Sequence, residues 1–445
     1  MSEIKKNDRR EIFGWVMYDW ANSAFLTTVV GVLLSPYLTS LAQSEVGENG
    51  TVLDLGVFGA VTAKSLFPFA ISLSVFGQIF LLPFLGAIAD YSRLKKAFMA
   101  FFCYLGVAAG CLLFFIEGDS YLLGAVLLII SNLCMGGSLV FYNAFLSDIC
   151  TEDRRDKVSS KGFAVGYAGG FLMLGFNLLL LGSAESLGIS QGFAVRISFL
   201  IAALWWGGFA LLTFTRLKTR GAAREIPAGE NYFTISIKEL GTTLRQLARL
   251  RHTAQFLIAY LLYNDGIQTV INISSLFLAQ ELFVARGLPE DNAFLLKIFL
   301  LAQLMAMIGS FAFEFISRKT GAKNAILMSL VIWSGIVIYA YSFMQESWQA
   351  WILGAAIGFV LGGSQALSRS LFSQMIPEGR EASFFSLYEI SERGTSWIGP
   401  MVFGIVASAT NSYRQAILAL IAFFIVGMIL LFFTNTDKAI AEANS

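Results

Sequence analysis

The sequence predicts an all-α membrane protein with twelve transmembrane helices arranged in two related six-helix bundles. Three observations support this fold class: the composition, the number of long apolar runs and an internal repeat. Of the 445 residues, 56% are hydrophobic and only 14% are charged, whereas soluble domains carry roughly 25% charged residues. A soluble protein could not bury so much apolar surface, so lipid must surround most of this chain.

Apolar runs long enough to cross a bilayer recur along the whole chain. The charged segment at residues 1–10 is followed by an apolar run far longer than that of a signal peptide, so we expect this run to remain as the first span. The predicted spans cover approximately residues 12–40, 62–89, 97–116, 121–147, 163–182, 194–215, 253–280, 292–316, 324–343, 349–375, 383–409 and 413–434.

The basic residues predict the orientation. Because the number of spans is even, both termini lie on the same side of the membrane. Most of the 31 Lys and Arg residues fall at the termini and in the loops on that side, which the positive-inside rule places in the cytoplasm. We therefore expect a multi-pass integral membrane protein, in the plasma (inner) membrane if the cell is bacterial.

The longest polar stretch predicts the domain organisation. Residues 216–252 separate an N-terminal bundle (1–215) from a C-terminal bundle (253–445). The basic end of this stretch, KELGTTLRQLARLRH at 238–252, predicts a cytoplasmic linker with an amphipathic helix at the membrane surface. A regulatory or partner-binding segment is the alternative interpretation.

The two halves resemble each other in sequence. A shift of 226 places Gly136-Gly137-Ser138 of the fourth span on Gly362-Gly363-Ser364 of the tenth, and a shift near 245 places Tyr18-Asp19 on Tyr263-Asn264. Two six-span repeats of the same orientation are an architecture of transporters, with the substrate site near mid-membrane between the halves.

Polar residues inside the spans collect on the first, fourth, seventh and tenth spans. Such residues are costly in lipid and usually face a polar cavity. Asp265, Gln268 and Asn272 follow each other at three- and four-residue spacing, which predicts one shared helix face. The candidates for substrate binding or coupling are Asp19, Asn22, Tyr142, Asn143, Asn264, Asp265, Gln268, Asn272, Gln365 and Arg369.

Two interpretations of the intramembrane charges stay open. In one, Asp19, Asp265 and Arg369 are structural pairs that fix the packing of the helices. In the other they form the site: Arg369 holds a substrate carboxylate, Asp19 or Asp265 holds an ammonium group, and one of these acids takes a coupling proton.

The loop after the second span reads GAIADYSRLKK and contains Gly86, Asp90, Arg93 and Lys96. It resembles the major facilitator superfamily signature G-x-x-x-D-[RK]-x-G-R-[RK], although Tyr91 stands where a basic residue is expected. The resemblance implies that Asp90 faces the N-terminus of the eleventh span and stabilises the outward-open state, in which the inner side is closed. An ordinary basic turn is the alternative.

Five motifs are similar to the vacuolar amino-acid effluxers and their bacterial "unknown major facilitator" relatives. They are YDWANSAF (18–25), FYNAFLSDI (141–149), GFAVGYAGG (162–170), YNDGIQT (263–269) and QALSRSLF (365–372). Ser147 departs from the pattern, which has proline there. The resemblance implies a twelve-span carrier with a cavity lined by spans one, four, seven and ten.

The resulting hypothesis is a secondary transporter that moves a small solute by alternating access. Neutral amino acids and protons are the expected candidates for substrate and coupling ion, and a receptor or a lipid-scrambling relative of the same fold is the alternative. The sequence has no phosphate-binding loop, zinc motif or nucleophile motif. We expect a monomer in the lipid bilayer that is not an enzyme and needs no cofactor, metal or nucleic acid.

The start of the eleventh span carries a further set of charges. Glu389, Glu392 and Arg393 lie one to two turns inside the predicted inner face, and Glu389 and Arg393 have the spacing of a helical acid–base pair. We expect them to form a cytoplasmic gate or a salt bridge with Arg369 or the Asp90 loop. Substrate contact and a water-exposed helix start are the other interpretations.

Overall fold

The computed structural model describes residues 6–47, 50–54, 60–219, 232–288, 291–393 and 398–443. Long apolar helices make up most of this part of the chain, because a helix satisfies every backbone N–H and C=O within the segment when lipid offers no partner. Eleven helical segments in the described residues are long and apolar enough to cross a membrane. The predicted all-α membrane class is therefore confirmed.

The N-terminal half contains six spans. They are Arg9–Val46, Leu66–Asp90, Lys95–Phe115, Tyr121–Ile149, Glu152–Gly182 and Gln191–Arg216. Between the first two lies a two-stranded antiparallel sheet of β1 (Thr51–Asp54) and β2 (Ala60–Thr62), in which Leu53 pairs with Val61. This sheet occupies the place where the second span was predicted to begin, and the helix itself begins only at Leu66.

The C-terminal half follows a helix at Tyr232–Arg249, here called the connecting helix. The predicted domain boundaries around it stay a prediction. The remaining helices are Arg251–Leu282, Asn292–Thr320, Ala322–Phe343, Ser347–Gln374, then Glu381–Arg393 and Ile398–Thr410 for the eleventh span, Tyr413–Ala419 and Ile421–Phe433 for the twelfth, and Thr436–Ala443 after it; a 3₁₀ turn spans Val284–Arg286.

The fifth span is longer than predicted. Its helix begins at Glu152 rather than near residue 163, so the charged sequence at 152–161 is helical. Hydropathy detects only the part of a helix that lies in lipid. A helix continues into water where acids occupy its first turn, as Glu152 and Asp153 do here, because they complement the helix dipole.

The first span changes its winding in the middle. An α-helix at Arg9–Phe25 continues as a π-helix at Leu26–Leu33 and returns to α-helix at Leu34–Val46. Pro36 follows the wide segment closely. Proline lacks the N–H that would bond to the carbonyl of Val32, and its ring would crowd that carbonyl in an ordinary α-helix. Widened turns of this kind occur often at functional sites.

Aromatic packing fixes the first span against the fourth. The rings of Trp15 and Tyr142 stack at 4.4 Å, and Tyr18 lies 5.1 Å from the same Tyr142 ring. The Trp15 indole N–H donates to the backbone carbonyl of Tyr142 at 2.8 Å. Such ring pairs contribute about 0.5–1.5 kcal/mol each beyond the burial of their area. They hold the next residues along each helix, Asp19 and Asn143, at defined positions.

The first and last described segments of the chain lie on one face, here called the terminal face. The backbone N–H of Asn7 donates to the Ile149 carbonyl at 2.8 Å, at the end of the fourth span. Near the other end, the N–H of Asn435 donates to His252 Nδ1 at 3.4 Å. This arrangement fits an even number of spans. Its orientation toward the cytoplasm stays a prediction from the charges.

Candidate functional site

A polar cavity of about 190 Å³ lies between the two halves. The first, fourth and fifth spans form its N-terminal wall, and the eighth, tenth and eleventh spans form the opposite wall. Its lining residues are Asp19, Asn22, Ser23, Leu26, Thr27, Leu139, Asn143, Phe163, Tyr167, Gln303, Gln365, Arg369, Tyr388, Glu389 and Glu392. Seven of these residues were selected by the sequence analysis for substrate binding or gating: Asp19, Asn22, Asn143, Gln365, Arg369, Glu389 and Glu392.

Arg369 lies at the centre of the cavity wall and is 3% exposed. Its guanidinium donates to the Ser159 hydroxyl and the Ser159 carbonyl, both at 3.0 Å. It also donates to Asn143 Oδ1 at 3.4 Å and forms an ion pair with Asp19 Oδ2 at 3.3 Å. These partners all belong to the N-terminal half. Arg369 therefore ties the tenth span to three spans of the other half.

Aromatic rings surround the same guanidinium. Its central carbon lies 4.1 Å from the ring centre of Phe163, 4.8 Å from Trp15 and 5.5 Å from Tyr142. Cation–π contacts stabilise a desolvated arginine by up to about 2 kcal/mol. Tyr142 was selected as a lining residue, but it is fully buried and stacks behind Arg369. Its role in the structure is to support the arginine from behind.

The polar contacts form a chain that alternates between the halves. Asp19 of the first span pairs with Arg369 of the tenth, and Arg369 donates to Asn143 of the fourth. Asn143 in turn donates to Glu389 Oε1 of the eleventh span at 2.5 Å. Asn143 and Arg369 are 226 residues apart, the shift that relates the two repeats. Repeat-related positions thus meet across the interface.

Glu389 and Glu392 lie in the cavity with Arg369, one of the two partners expected for them, rather than at the Asp90 loop. Both line the cavity, and the Glu392 carbonyl accepts a hydrogen bond from Asn264 Nδ2 at 3.1 Å. The helix at Glu381–Arg393 begins at the terminal face, so two further turns bring these side chains to the depth of Arg369. The Arg393 side chain lies outside the described residues.

Asp265 was expected as a candidate beside Asp19, but in this structure it lies apart from the cavity. The Asp265 carboxylate is fully buried and accepts a hydrogen bond from the backbone N–H of Gly399 at 2.7 Å. The neighbouring Gly266 faces Phe423 and Phe424 of the twelfth span. Asp265 therefore points into its own half, where it caps the second helix of the eleventh span, and it is not among the described residues that line the cavity.

The rest of the predicted polar face on the seventh span does not line the cavity either. Asn264 bonds to the eleventh span, Gln268 is half-buried and Asn272 is exposed. A four-residue spacing places side chains on one side of a helix, but the tilt of the helix and its neighbours decide what each residue along that side meets. On the seventh span, this side of the helix runs from the interior of the C-terminal half at Asp265 to the surface at Asn272.

The fifth span supplies site residues that the sequence analysis missed: Phe163 and Tyr167 line the cavity, and Ser159 bonds to Arg369. Ser159, Phe163 and Tyr167 follow at four-residue intervals on one side of this helix, and Tyr167 donates from its hydroxyl to Gln365 Oε1. The signal was available in the sequence as polar and aromatic residues at helical spacing. Gln303 of the eighth span also lines the cavity, and no local pattern distinguishes it.

A second, apolar chamber of about 50 Å³ adjoins the polar cavity, and the two share Tyr167 and Gln303. The seventh, eighth and tenth spans line this chamber with aliphatic side chains such as Ile271, Ile298 and Ile357. The polar cavity therefore continues into an apolar one on the side of the C-terminal half.

The terminal face is closed by contacts between the halves. Asp90 accepts hydrogen bonds from the backbone N–H groups of Ala382 at 3.0 Å and Ser383 at 2.9 Å, at the N-terminus of the eleventh span. This pair of bonds is here called the terminal latch. Gly86 permits it, because a Cβ atom there would lie 2.5 Å from the Ala382 carbonyl oxygen.

The other residues of this loop have different surroundings. Arg93 is exposed, and Lys96 donates to the carbonyl of Leu217 at 2.7 Å within the N-terminal half. The latch is reinforced elsewhere on the terminal face by Arg155, which donates to the Ser373 carbonyl at 2.7 Å. The cavity is thus separated from the terminal face by several layers of hydrogen bonds.

Solved structures of transporters share the fold of this protein. It matches the crystal structure of the human organic anion transporter MFSD10 (TETRAN) with a TM-score of 0.68 at 13% identity, covering 96% of this chain and 100% of that one. It matches the transporter FucP in its outward conformation with a TM-score of 0.67 at 15% identity and the same coverage. The chain has the fold of the major facilitator superfamily, with its cavity between two six-helix halves.

Sequence relatives narrow the class to a family. Residues 7–444 match the family described as vacuole effluxer Atg22 like, and the chain belongs to this family. It is 32% identical to the uncharacterized MFS-type transporter YxiO of Bacillus subtilis (strain 168), over 95% of each chain. It is 26% identical to autophagy-related protein 22-1 of Aspergillus clavatus, over 98% of this chain and 89% of that one. The protein is a secondary transporter of the membrane and not an enzyme.

Proposed function

We propose that the protein carries small neutral amino acids through the cavity between its halves and couples this movement to protons. The observation that carries the proposal is a guanidinium, Arg369, in one polar cavity with three carboxylates, Asp19, Glu389 and Glu392. An amino acid presents a carboxylate and an ammonium group a few ångströms apart, so its site needs both charges together. The resemblance to the amino-acid effluxers supports the same class of substrate.

The size and polarity of the two chambers support this class. Pockets for drug-sized ligands occupy about 300–1,000 Å³, so a polar cavity of about 190 Å³ suits a smaller solute. The adjoining apolar chamber offers Ile298 and Ile357 to an apolar side chain. The substrate carboxylate then lies at Arg369 and its ammonium group at a carboxylate of the lining, and its side chain extends past Tyr167.

The Asp19–Arg369 ion pair provides the means of coupling. In the present state it joins the halves at 3.3 Å, and the two side chains are 9% and 4% exposed. A proton on the Asp19 carboxylate cancels its charge and weakens the pair, which frees the guanidinium for the carboxylate of the substrate. The structural pair and the binding site are thus two states of the same residues.

Movement of the substrate follows from alternating access, in which the two halves rock about the site. The terminal face is closed by Asp90 and Arg155 in this structure. Release toward that face requires these bonds to break while the halves close on the other side. With the terminal face assigned to the cytoplasm, the present state is closed toward the cytoplasm.

Counterflow in proteoliposomes tests the proposal. Vesicles containing the purified protein and an unlabelled neutral amino acid are expected to accumulate the same amino acid in labelled form from outside, and empty vesicles are not. Exchange should be strongest for small aliphatic side chains and absent for amines that lack a carboxylate. Movement of labelled lipid between leaflets without exchange of any amino acid would contradict the proposal and favour a lipid-scrambling role.

A further inference from the structure

The connecting helix takes part in closing the terminal face. Its Glu239 is 3% exposed although it lies on a helix outside the membrane spans. The Tyr91 hydroxyl donates to Glu239 Oε2 at 3.0 Å, and Arg380 forms an ion pair with Glu239 Oε1 at 3.1 Å. One carboxylate therefore binds two residues from different halves, with one oxygen for each.

The two partners of Glu239 flank the terminal latch. Tyr91 directly follows Asp90 at the end of the second span, and Arg380 lies two residues before Ala382 at the start of the eleventh. The latch and Glu239 therefore join the same two chain segments. Separation of these segments, which must accompany opening of the terminal face, breaks both connections.

Tyr91 also accounts for the departure from the superfamily signature. A basic residue is expected after the aspartate, and this chain has a phenol there. A phenol donates a hydrogen bond to a carboxylate without neutralising it, so the charge of Glu239 remains available to Arg380. The side chain of Arg380 in this ion pair is 12% exposed and that of Glu239 is 4% exposed, so solvent screens the pair little.

The burial pattern of the connecting helix supports a docked position. Ile235, Glu239 and Thr243, at four-residue intervals, are all nearly fully buried, whereas Leu240 and Arg245 on other sides are exposed. A carboxylate within a buried stripe is strongly destabilising unless it is paired. Docking of this helix is therefore favoured when Tyr91 and Arg380 lie close to each other, as they do in this structure, in which the terminal face is closed.

We propose that the connecting helix is a strap that holds the terminal face closed, with Glu239 as the positioning residue that joins Tyr91 to Arg380. Loss of Glu239 shifts the resting population toward the state that is open at the terminal face. The inference rests on alternating access but not on the identity of the substrate, so its test needs no substrate and can fail independently of the proposed amino-acid transport.

The test measures the distance between the halves by double electron–electron resonance. Spin labels are attached to cysteines at Asp153 and Glu378, exposed positions of the two halves on the terminal face, in a background with the four native cysteines replaced by alanine. In Glu239→Ala we expect the ratio of long to short distances to rise roughly tenfold, the effect of one lost hydrogen bond to a charged group. Glu239→Gln should give a smaller rise, because the amide oxygen still accepts from Tyr91.

Two controls separate a strap from a merely structural helix. Arg245→Ala removes a charge from the exposed side of the same helix and should leave the distances unchanged. The exchanged pair Glu239→Arg with Arg380→Glu restores an ion pair and should return the distances toward those of the native chain. The proposal is overturned if Glu239→Ala leaves the distance distribution unchanged, if Arg245→Ala opens the face equally, or if the exchanged pair stays as open as either single variant.

Discussion

Asp19 and Asp265 occupy similar places in the two repeats but have opposite surroundings. Asp19 lies in the first span, lines the central cavity and pairs with Arg369 of the other half. Asp265 lies in the seventh span, faces its own half and accepts the backbone N–H of Gly399. One carboxylate joins the halves, and the other holds one half together.

The difference shows that the two halves supply different chemical groups to the site. The N-terminal half supplies Asp19, Asn143 and Ser159, and the C-terminal half supplies the arginine that binds all three. Asp265 has no comparable partner across the interface among the described residues. A charge in a repeat is therefore placed by the helices packed around it, and equivalent sequence positions need not have equivalent roles.

The largest expected effect comes from removing Arg369, which pairs with Asp19 and not with Asp265. Arg369→Ala should abolish amino-acid counterflow, because it removes the only basic side chain among the described residues that line the cavity. Arg369→Lys should retain part of the exchange, since it keeps the charge but loses the planar fork. Counterflow in proteoliposomes measures both.

The matched control is Arg414→Ala. Arg414 also lies in an ion pair, with Glu281 at 2.6 Å, but both partners belong to the C-terminal half and are remote from the cavity. Its loss should leave counterflow intact. Full activity of Arg369→Ala in equally folded protein would remove Arg369 from the site.

A smaller effect is expected from crowding the Asp19–Arg369 pair. A Cβ atom at Gly162 would contact Asp19 Oδ2 and lie 3.1 Å from an Arg369 nitrogen, whereas Gly175 on the same helix has open space. Overpacking costs about 1–3 kcal/mol, so Gly162→Ala should slow counterflow roughly tenfold. Gly175→Ala should have no effect. Equal rates for the two variants would show that the pair tolerates displacement.

The smallest effect on transport, and a clear effect on stability, is expected at Asp265. Asp265→Ala leaves the Gly399 N–H without its carboxylate acceptor and should lower the free energy of unfolding by about 1–3 kcal/mol. Asp265→Asn keeps an acceptor oxygen and should lower it less. Thermal unfolding measures both changes. The KM of exchange should stay unchanged in each variant, and a large rise in KM would place Asp265 at the substrate.

Most of the fold was predictable because the solvent is lipid. The predicted spans begin and end close to the observed helices, since a helix must carry apolar residues wherever it meets the bilayer. The exceptions lie outside that constraint. The first turns of the fifth span are charged and helical in water, and the sheet of β1 and β2 depends on contacts that hydropathy does not measure.

Part of the site was predictable from polar residues inside the spans, and the repeat indicated which of them meet. Asn143 and Arg369 are related by the sequence shift and are hydrogen-bonded in the structure. Asp265 lies away from the cavity in this structure, because the direction of a side chain depends on helix tilt and on which neighbour packs against it. Glu239 could not be found from sequence, since Tyr91 and Arg380, which both bind it, are distant from it and from each other in the chain.

The central claim is that Asp19, and not Asp265, carries the coupling proton in the cavity. The most direct measurement is accumulation of a labelled neutral amino acid in proteoliposomes driven by an imposed pH gradient, compared with counterflow in the same vesicles. Asp19→Asn should retain counterflow and lose the accumulation driven by the gradient, and Asp265→Asn should retain both. Accumulation that survives in Asp19→Asn, or that is lost in Asp265→Asn alone, would contradict the account.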